Sequence, residues 1–224
     1  MFDAQGLTVR YGRRAALREV SVSYQSEGRI CGLFGPNGAG KTTLMNCLVG
    51  SINRYQGVLK HPPPADIAYL PDKSFLYPWL TINQCFDLFG ARHRDFRREV
   101  AAEIIDGFGL EGSSKVGQCS KGMSERLHLA LVVARAARYY VLDEPLAAVD
   151  PFTRDFLVEM IRAKRRPDST VLVSTHLISD VETLFEDVMM ISDGRLLCYA
   201  GASEVCGDGE DLEAAFKRMV ADHV

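Results

Sequence analysis

Apolar and polar side chains alternate in two short stretches near the start of the chain. Leu7, Val9 and Tyr11 recur at every second position in residues 6–11, and Val20, Val22 and Tyr24 do so in residues 17–24. A period of two predicts half-buried antiparallel strands, because successive strand side chains face opposite ways. The next segment drops the alternation. Ile30, Leu33 and Phe34 lie in a short apolar run that predicts a buried strand, residues 35–40 predict a tight turn, and Leu44, Met45 and Leu48 predict a helix from Lys41 onward with one apolar face. Residues 56–60 and 67–70 are expected to be short strands around Pro62-Pro63-Pro64, after which Pro71-Asp72 breaks the chain.

From residue 73 to residue 138 the pattern turns helical. Ile82, Cys85, Phe86 and Phe89 share one face, Val100, Ile104 and Phe108 a second, and Leu127, Leu131 and Val132 a third. Strand texture returns at 139–142, and Asp150-Pro151 predicts an N-cap and first-turn proline for a helix that buries Phe152, Phe156, Met160 and Ile161. A strand at 170–174, a helix at 177–185, strands at 187–192 and 195–199 about Asp193-Gly194, and a terminal helix from about Asp211 complete the expectation. The predicted class is α/β with an antiparallel β edge. One domain is expected: a core of residues 1–72 and 139–205, an α-helical subdomain inserted at 73–138, and a short C-terminal helix in 206–224.

Composition narrows the function. With 224 residues, 47% of them hydrophobic, the chain can bury a sizeable core. A net charge of −3 gives no electrostatic argument for a duplex nucleic-acid partner, which normally demands a clustered basic face, so none is expected. Local basic clusters at 92–98 and 162–166 are expected to be solvated faces or to lie near anionic head groups. The cysteines at 31, 47, 85, 119, 198 and 206 form no C-x2-C pair, so they predict small hydrophobes in a reducing compartment, without zinc. No stretch approaches the ~18 apolar residues that cross a bilayer, and residues 1–10 have no leader pattern, so a cytosolic chain is expected unless a partner holds it at a membrane.

The chemistry starts in the turn. Gly35, Pro36, Asn37, Gly38, Ala39, Gly40, Lys41, Thr42 and Thr43 follow a strand and open a helix. Spacing of this kind leaves backbone N–H groups free to converge on phosphate oxygens at a helix N-terminus. Lys41 would reach the β- and γ-phosphates and the Thr42 hydroxyl would ligate Mg²⁺. Asp143 and Glu144 end the strand at 139–142 as adjacent carboxylates expected to point in opposite pleat directions, Asp143 toward Mg²⁺ and Glu144 toward an attacking water. Ser120-Lys121-Gly122-Met123-Ser124 precedes a helix and reads either as an N-cap or as a second anion site. His176 follows a strand, where it would face a ligand crevice or serve as a hydrogen-bonded structural residue. Tyr11 could be core or could stack on a base.

Together these pieces resemble the nucleotide-binding subunit of ATP-binding-cassette (ABC) transporters over nearly the whole chain. The resemblance matches Tyr11 to the adenine-stacking aromatic, residues 35–43 to the Walker A loop, 120–124 to the signature, 139–144 to Walker B, 148–150 to the D-loop and His176 to the switch histidine. It implies a P-loop NTPase core of RecA-like type and a head-to-tail dimer, in which ATP with Mg²⁺ on one subunit's loop is closed by Ser120 and Gly122 of the other. Glu144, His176 and Lys41 would be the catalytic residues. The implied partners are a second ATP-binding subunit and a separate transmembrane permease at the cytoplasmic face of the inner membrane. Ser-Lys-Gly-Met in the signature, residues 76–81 after Pro71 and the short Asp-Leu-Glu-Ala-Ala-Phe segment at 211–216 look like bacterial type-2 exporters.

Two positions depart from the family pattern. Lys121 stands where many members have Gly, and Asp72 occupies the usual Q-loop glutamine position. An ionised aspartate only accepts hydrogen bonds and is one methylene, roughly 1.5 Å, shorter. Asp72 is therefore expected to contact Mg²⁺ through a bridging water, or else to be a hinge beside Pro71. The competing reading is a soluble ABC ATPase acting on nucleic acid or ribosomes. A P-loop GTPase would need an Asn-Lys-x-Asp guanine reader, and none occurs.

Overall fold

The structure, a computed structural model, describes residues 2–25, 27–145, 151–176, 184–206 and 210–221, with backbone alone for 151–157. Strands β1 (Phe2–Tyr11), β2 (Arg14–Tyr24) and β4 (Gln56–Lys60) form an antiparallel sheet in the order β2-β1-β4. The first two reach beyond the alternating stretches at 6–11 and 17–24. A six-stranded sheet holds β3 (Ile30–Phe34), β5 (Ile67–Leu70), β6 (Tyr139–Asp143), β7 (Thr170–Thr175), β8 (Asp187–Ser192) and β9 (Arg195–Gly201) in the order β5-β6-β7-β3-β8-β9. All its pairings are parallel except β8 with β9.

The large sheet is buried on both faces, as parallel sheets are. Alternate residues divide cleanly. Ile30 and Phe34 of β3, Tyr140 and Leu142 of β6 and Val171 and Val173 of β7 face a cluster with helical residues, including Ile82, Phe86, Ile104 and Leu131. Cys31, Leu33, Val141 and Leu172 face the opposite way, toward Leu44, Met45 and Leu48 of α1 (Lys41–Leu48) and toward Leu7, Val9 and Val20 of the small sheet. Burial of each such Leu, Ile or Val contributes about 1.5–3 kcal/mol relative to exposure. Phe34 meets Phe185 edge-on, with centroids 5.2 Å apart.

Between β5 and β6 run α2 (Ile82–Arg92), α3 (Arg98–Gly107) and α4 (Lys121–Val133). Thr81 opens α2 with a reciprocal cap: its hydroxyl accepts from the Gln84 N–H at 3.2 Å while Gln84 Oε1 accepts from the Thr81 N–H at 2.9 Å. Ile82, Cys85, Phe86, Ile104, Leu127, Leu131 and Val132 are buried, as their spacing predicts. Phe89, Val100 and Phe108 pack against that core from partly buried positions. Helix α5 (Pro151–Lys164) buries Met160 and Ile161, the short α6 (Ala202–Val205) buries Val205, and α7 (Leu212–Ala221) buries Leu212 and Ala215. The expected N-cap Asp150, the side chains of Phe152 and Phe156, residues 148–150 and residues 177–183 of an expected helix lie outside the described residues.

The basic clusters divide: Arg92, Arg94, Arg98, Arg162 and Arg166 are exposed, as solvated faces are, while Arg97 and Arg165, with Arg135 outside the clusters, are held by architecture. Arg97 donates to the Val133, Ala134 and Lys164 carbonyls, satisfying the end of α4. Arg135, 4% exposed, pairs with both Asp95 oxygens and with the Ala65 and Ile67 carbonyls, while Arg165 reaches the Gly28 and Ser169 carbonyls.

Candidate nucleotide site

Strand order and register assemble the site. Phe34 lies beside Thr175, and Ser174 beside Asp143, so β3, β7 and β6 end at one edge of the sheet. With β7 between them, β3 and β6 stand two strand spacings, about 10 Å, apart. The turn after β3, the carboxylates after β6 and His176 after β7 therefore share one crevice at the carboxyl edge.

The turn needs glycine for different reasons at its two ends. A Cβ on Gly35 would lie 2.2 Å from the Ile191 carbonyl oxygen, so close approach forbids a side chain. Gly40 has φ +111°, and a Cβ there would meet the Ala16 carbonyl at 2.7 Å. No side chain caps the first turn of α1, which leaves its dipole end for an anion. Lys41, 5% exposed, curls back over the turn and donates to the Gly35 carbonyl at 2.7 Å and the Pro36 carbonyl at 3.4 Å. Its ammonium also pairs with Glu144 Oε1 at 3.1 Å.

Glu144 departs from the sequence expectation. The strand ends at Asp143, and Glu144 has φ 50°, a left-handed conformation uncommon outside glycine. The two carboxylates diverge because the backbone turns, not because they alternate on a pleat. Ser174 holds this turn: its hydroxyl accepts from the Glu144 N–H at 2.9 Å and donates to Asp143 Oδ1 at 2.5 Å. The carboxylate of Glu144 also accepts from His176 Nδ1 at 2.9 Å, which makes that nitrogen the protonated one.

Asp143 is 1% exposed, and burial pushes its carboxyl up from the ordinary value; the Ser174 hydroxyl and the nearby Thr42 hydroxyl lower it in part, and Asp72 and Glu144 raise it. Its Oδ2 has no hydrogen-bond partner among the described residues. An orphaned buried carboxylate oxygen beside a hydroxyl is the oxygen donor set a Mg²⁺ ion takes, so the residues present fit that ion.

A groove of about 680 Å³ runs along the turn, lined by Tyr11, Pro36, Asn37, Gly38, Gly40, Lys41, Thr42, Thr43, Asp72, Glu144 and His176. Tyr11 is 57% exposed at the end of β1, so it is not core. Arg14 and Ala16 also line the groove. No motif or periodicity singled out Arg14, which opens β2 and reaches over Gly38 only in the folded chain. Ser174 was likewise missed as a site residue, although its place two residues before His176 was a usable hint.

Ser120 and Gly122 are not brought to this groove and do not line it. Ser120 caps α4, its hydroxyl accepting from the Met123 N–H at 3.2 Å, and a Cβ on Gly122 would meet nothing within 4 Å. Both N-cap chemistry and an open face are thus present.

Residues 17–147 match the family model described as ABC transporter. The chain is 30% identical over 217 residues to an uncharacterized ABC transporter ATP-binding protein of Synechocystis, covering 90% of this chain but spanning only 61% of that relative's length. It is 30% identical over 210 residues to the SkfA peptide export ATP-binding protein SkfE of Bacillus subtilis, covering 88% of this chain and 87% of that one. Among solved structures, an ATP binding subunit of an ABC transporter superposes with a TM-score of 0.86 at 20% identity over 98% of this chain and 99% of that one. The dimeric ATP-binding cassette MJ0796, bound to ADP and Pi after hydrolysis, gives 0.77 at 22% identity over 90% and 98%. With the phosphate-binding turn, the paired carboxylates and the helix-covered parallel sheet all present, the chain belongs to the ABC transporter family, as one of its ATP-binding cassettes.

Proposed function

We propose that this chain hydrolyses ATP in a composite site shared by two ATP-binding subunits, and that it drives a separate membrane permease in the direction of export. The observation that carries this reading is a division: Lys41, Thr42, Asp143, Glu144 and His176 converge beside one groove, while Ser120 and Gly122 present an open helix start elsewhere. A half-site of each kind on one chain is complete when a second subunit packs head to tail.

In this reading Tyr11 stacks on the adenine, and residues 35–43 hold the phosphates through the backbone N–H groups at the start of α1. Lys41 moves its ammonium from Glu144 to the β- and γ-phosphates. Glu144, once released, accepts a hydrogen bond from the attacking water and polarises it, while His176 keeps the carboxylate aimed and lies beside the γ-phosphate. Thr42 and Asp143, with Asp72 acting through a water, would hold Mg²⁺, which would supply charge neutralisation at the phosphates. We also divide the chain functionally into a nucleotide-binding core (1–72 and 139–205), a helical subdomain (73–138) and a C-terminal segment (206–224) that carries α7.

Two things support a permease partner. No helix among the described residues is long and apolar enough to cross a membrane. Tyr77 and Trp79 are stacked at 4.8 Å yet 53% and 64% exposed, while Phe75 and Leu76 beside them join the core. The aromatic stretch is thus half packing and half an exposed apolar surface that a partner would cover. In this reading the chain is held peripherally by its permease, at the cytoplasmic face of the inner membrane. Export is favoured by SkfE, named for peptide export, and by a linearmycin resistance ATP-binding protein of Bacillus subtilis, 25% identical over 92% of this chain and 71% of that one.

Glu144→Gln tests the composite site, because the amide keeps the shape and cannot polarise water as a carboxylate does. Sizing this variant with ATP and Mg²⁺ should show a dimer without turnover. A monomer that nonetheless binds ATP refutes the reading.

A further inference from the structure

His128 lies on α4 two turns beyond its N-cap, 5% exposed, at the wall of a cavity of about 310 Å³ that adjoins the groove. Lys121, Ser124 and Glu125 of α4 line this cavity with Asp72, Lys73 and Ser74 of the turn after β5 and with Asp143 and Glu144. The imidazole bridges the two elements. Its Nε2 accepts from the Phe75 N–H at 3.2 Å and lies 3.0 Å from the Ser74 hydroxyl, while its Nδ1 donates to the Ser124 carbonyl. The Phe75 ring packs edge-on against it, with centroids 4.5 Å apart.

These partners fix one chemical form. A carbonyl oxygen only accepts and a backbone N–H only donates, so Nδ1 must carry the proton and Nε2 must present its lone pair. Burial, which lowers the imidazole's pKa, favours the same neutral ring. No other hydrogen bond holds residues 73–75 among the described residues. An apolar side chain could fill the space, but it could not tie the turn down.

We propose that His128 is a positioning residue that fastens the turn bearing Asp72 to the helix bearing Ser120 and Gly122, so that the two parts of the composite site move as one body. The inference rests on the composite-site reading above. Asp72 lines the nucleotide groove three residues before Phe75, and Ser120 starts the helix that carries His128. Whatever displaces the turn when ATP enters is passed through the ring to α4 and sets where Ser120 and Gly122 meet the partner's nucleotide. His128 itself touches neither nucleotide nor metal.

The test uses the full chain in the Glu144→Gln background. His128→Leu fills the site without an acceptor, and His128→Gln restores an acceptor oxygen for the Phe75 N–H. In His128→Leu the ATP concentration for half-maximal dimerisation with Mg²⁺ should rise about tenfold, the scale of one lost hydrogen bond, with ATP affinity of the dilute monomer unchanged. His128→Gln should recover most of the loss. Parent-like dimerisation in His128→Leu, or equal defects in both variants, overturns the proposal while leaving the composite site standing. A Glu144→Gln parent that never dimerises removes the composite site and this proposal together. Hydrogen exchange on the unsubstituted chain decides the bond even where a variant fails to fold: the Phe75 amide must be protected, and exchange at the open-chain rate overturns the proposal.

Discussion

Glu144→Gln should also tighten ATP binding to the isolated monomer, an effect separate from dimer trapping. Lys41 and Glu144 pair at 3.1 Å with side chains only 5% and 11% exposed, so an arriving γ-phosphate competes with Glu144 for the same ammonium. At an effective dielectric of about 20 the gross Coulomb attraction at that distance is about 5 kcal/mol. Exchange with water reduces a charge-assisted hydrogen bond to a net of about 1.5–3 kcal/mol. The glutamine oxygen still accepts from Lys41, so roughly half of that is recovered on substitution, about 1 kcal/mol or somewhat more. Removal of a carboxylate near the γ-phosphate acts in the same direction. The expected result is a fivefold to tenfold lower Kd for ATP, on the scale where about 1.4 kcal/mol is tenfold. ADP, without the γ-phosphate, should respond less. Fluorescence titration of a labelled nucleotide at protein concentrations too low for dimerisation measures both. Unchanged or weaker ATP affinity would show that the Lys41–Glu144 pair does not compete with nucleotide.

Four further outcomes follow from particular contacts. Lys41→Ala should weaken ATP binding itself, because it deletes the charge that faces the phosphates; normal affinity by the same titration removes the phosphate-loop assignment. Asp143→Asn should abolish Mg²⁺-dependent hydrolysis yet stabilise the nucleotide-free protein at neutral pH. The folded carboxyl titrates above its unfolded value, so stability is lost as pH rises through that window and the deficit persists at pH 7; a lower melting temperature than wild type at pH 7 contradicts this. Asp72→Asn should raise the Mg²⁺ concentration for half-maximal hydrolysis with little change in nucleotide affinity, and identical Mg²⁺ curves would leave Asp72 as a hinge beside Pro71. Trp79→Ala should keep solitary ATPase activity and lose co-purification with a permease, since the exposed ring stacked on Tyr77 does not serve the core; unchanged co-purification rules out docking there.

Local chemistry made much of the molecule legible in its sequence. The period-two stretches, the apolar runs at β3 and β6 and the helical faces at 82–89 and 127–132 became elements, because side-chain periodicity records which face of each is buried. The phosphate turn was readable because both of its constraints are local to the backbone: Gly35 admits no Cβ and Gly40 sits at positive φ. Adjacent carboxylates after a buried strand were readable for the same reason. What the sequence could not carry is the identity of partners far apart along the chain. Strand order alone puts β7 between β3 and β6, and with it places Ser174 against Asp143 and His176 against Glu144. The left-handed turn at Glu144, the Lys41–Glu144 pair, Arg14 over the loop and the His128 bridge are likewise tertiary. Each depends on a distance between segments that periodicity does not encode, and hydrogen bonds and ion pairs act only across a few ångströms. The sequence determined which groups are available, and packing of the two sheets and the helices decided which of them meet.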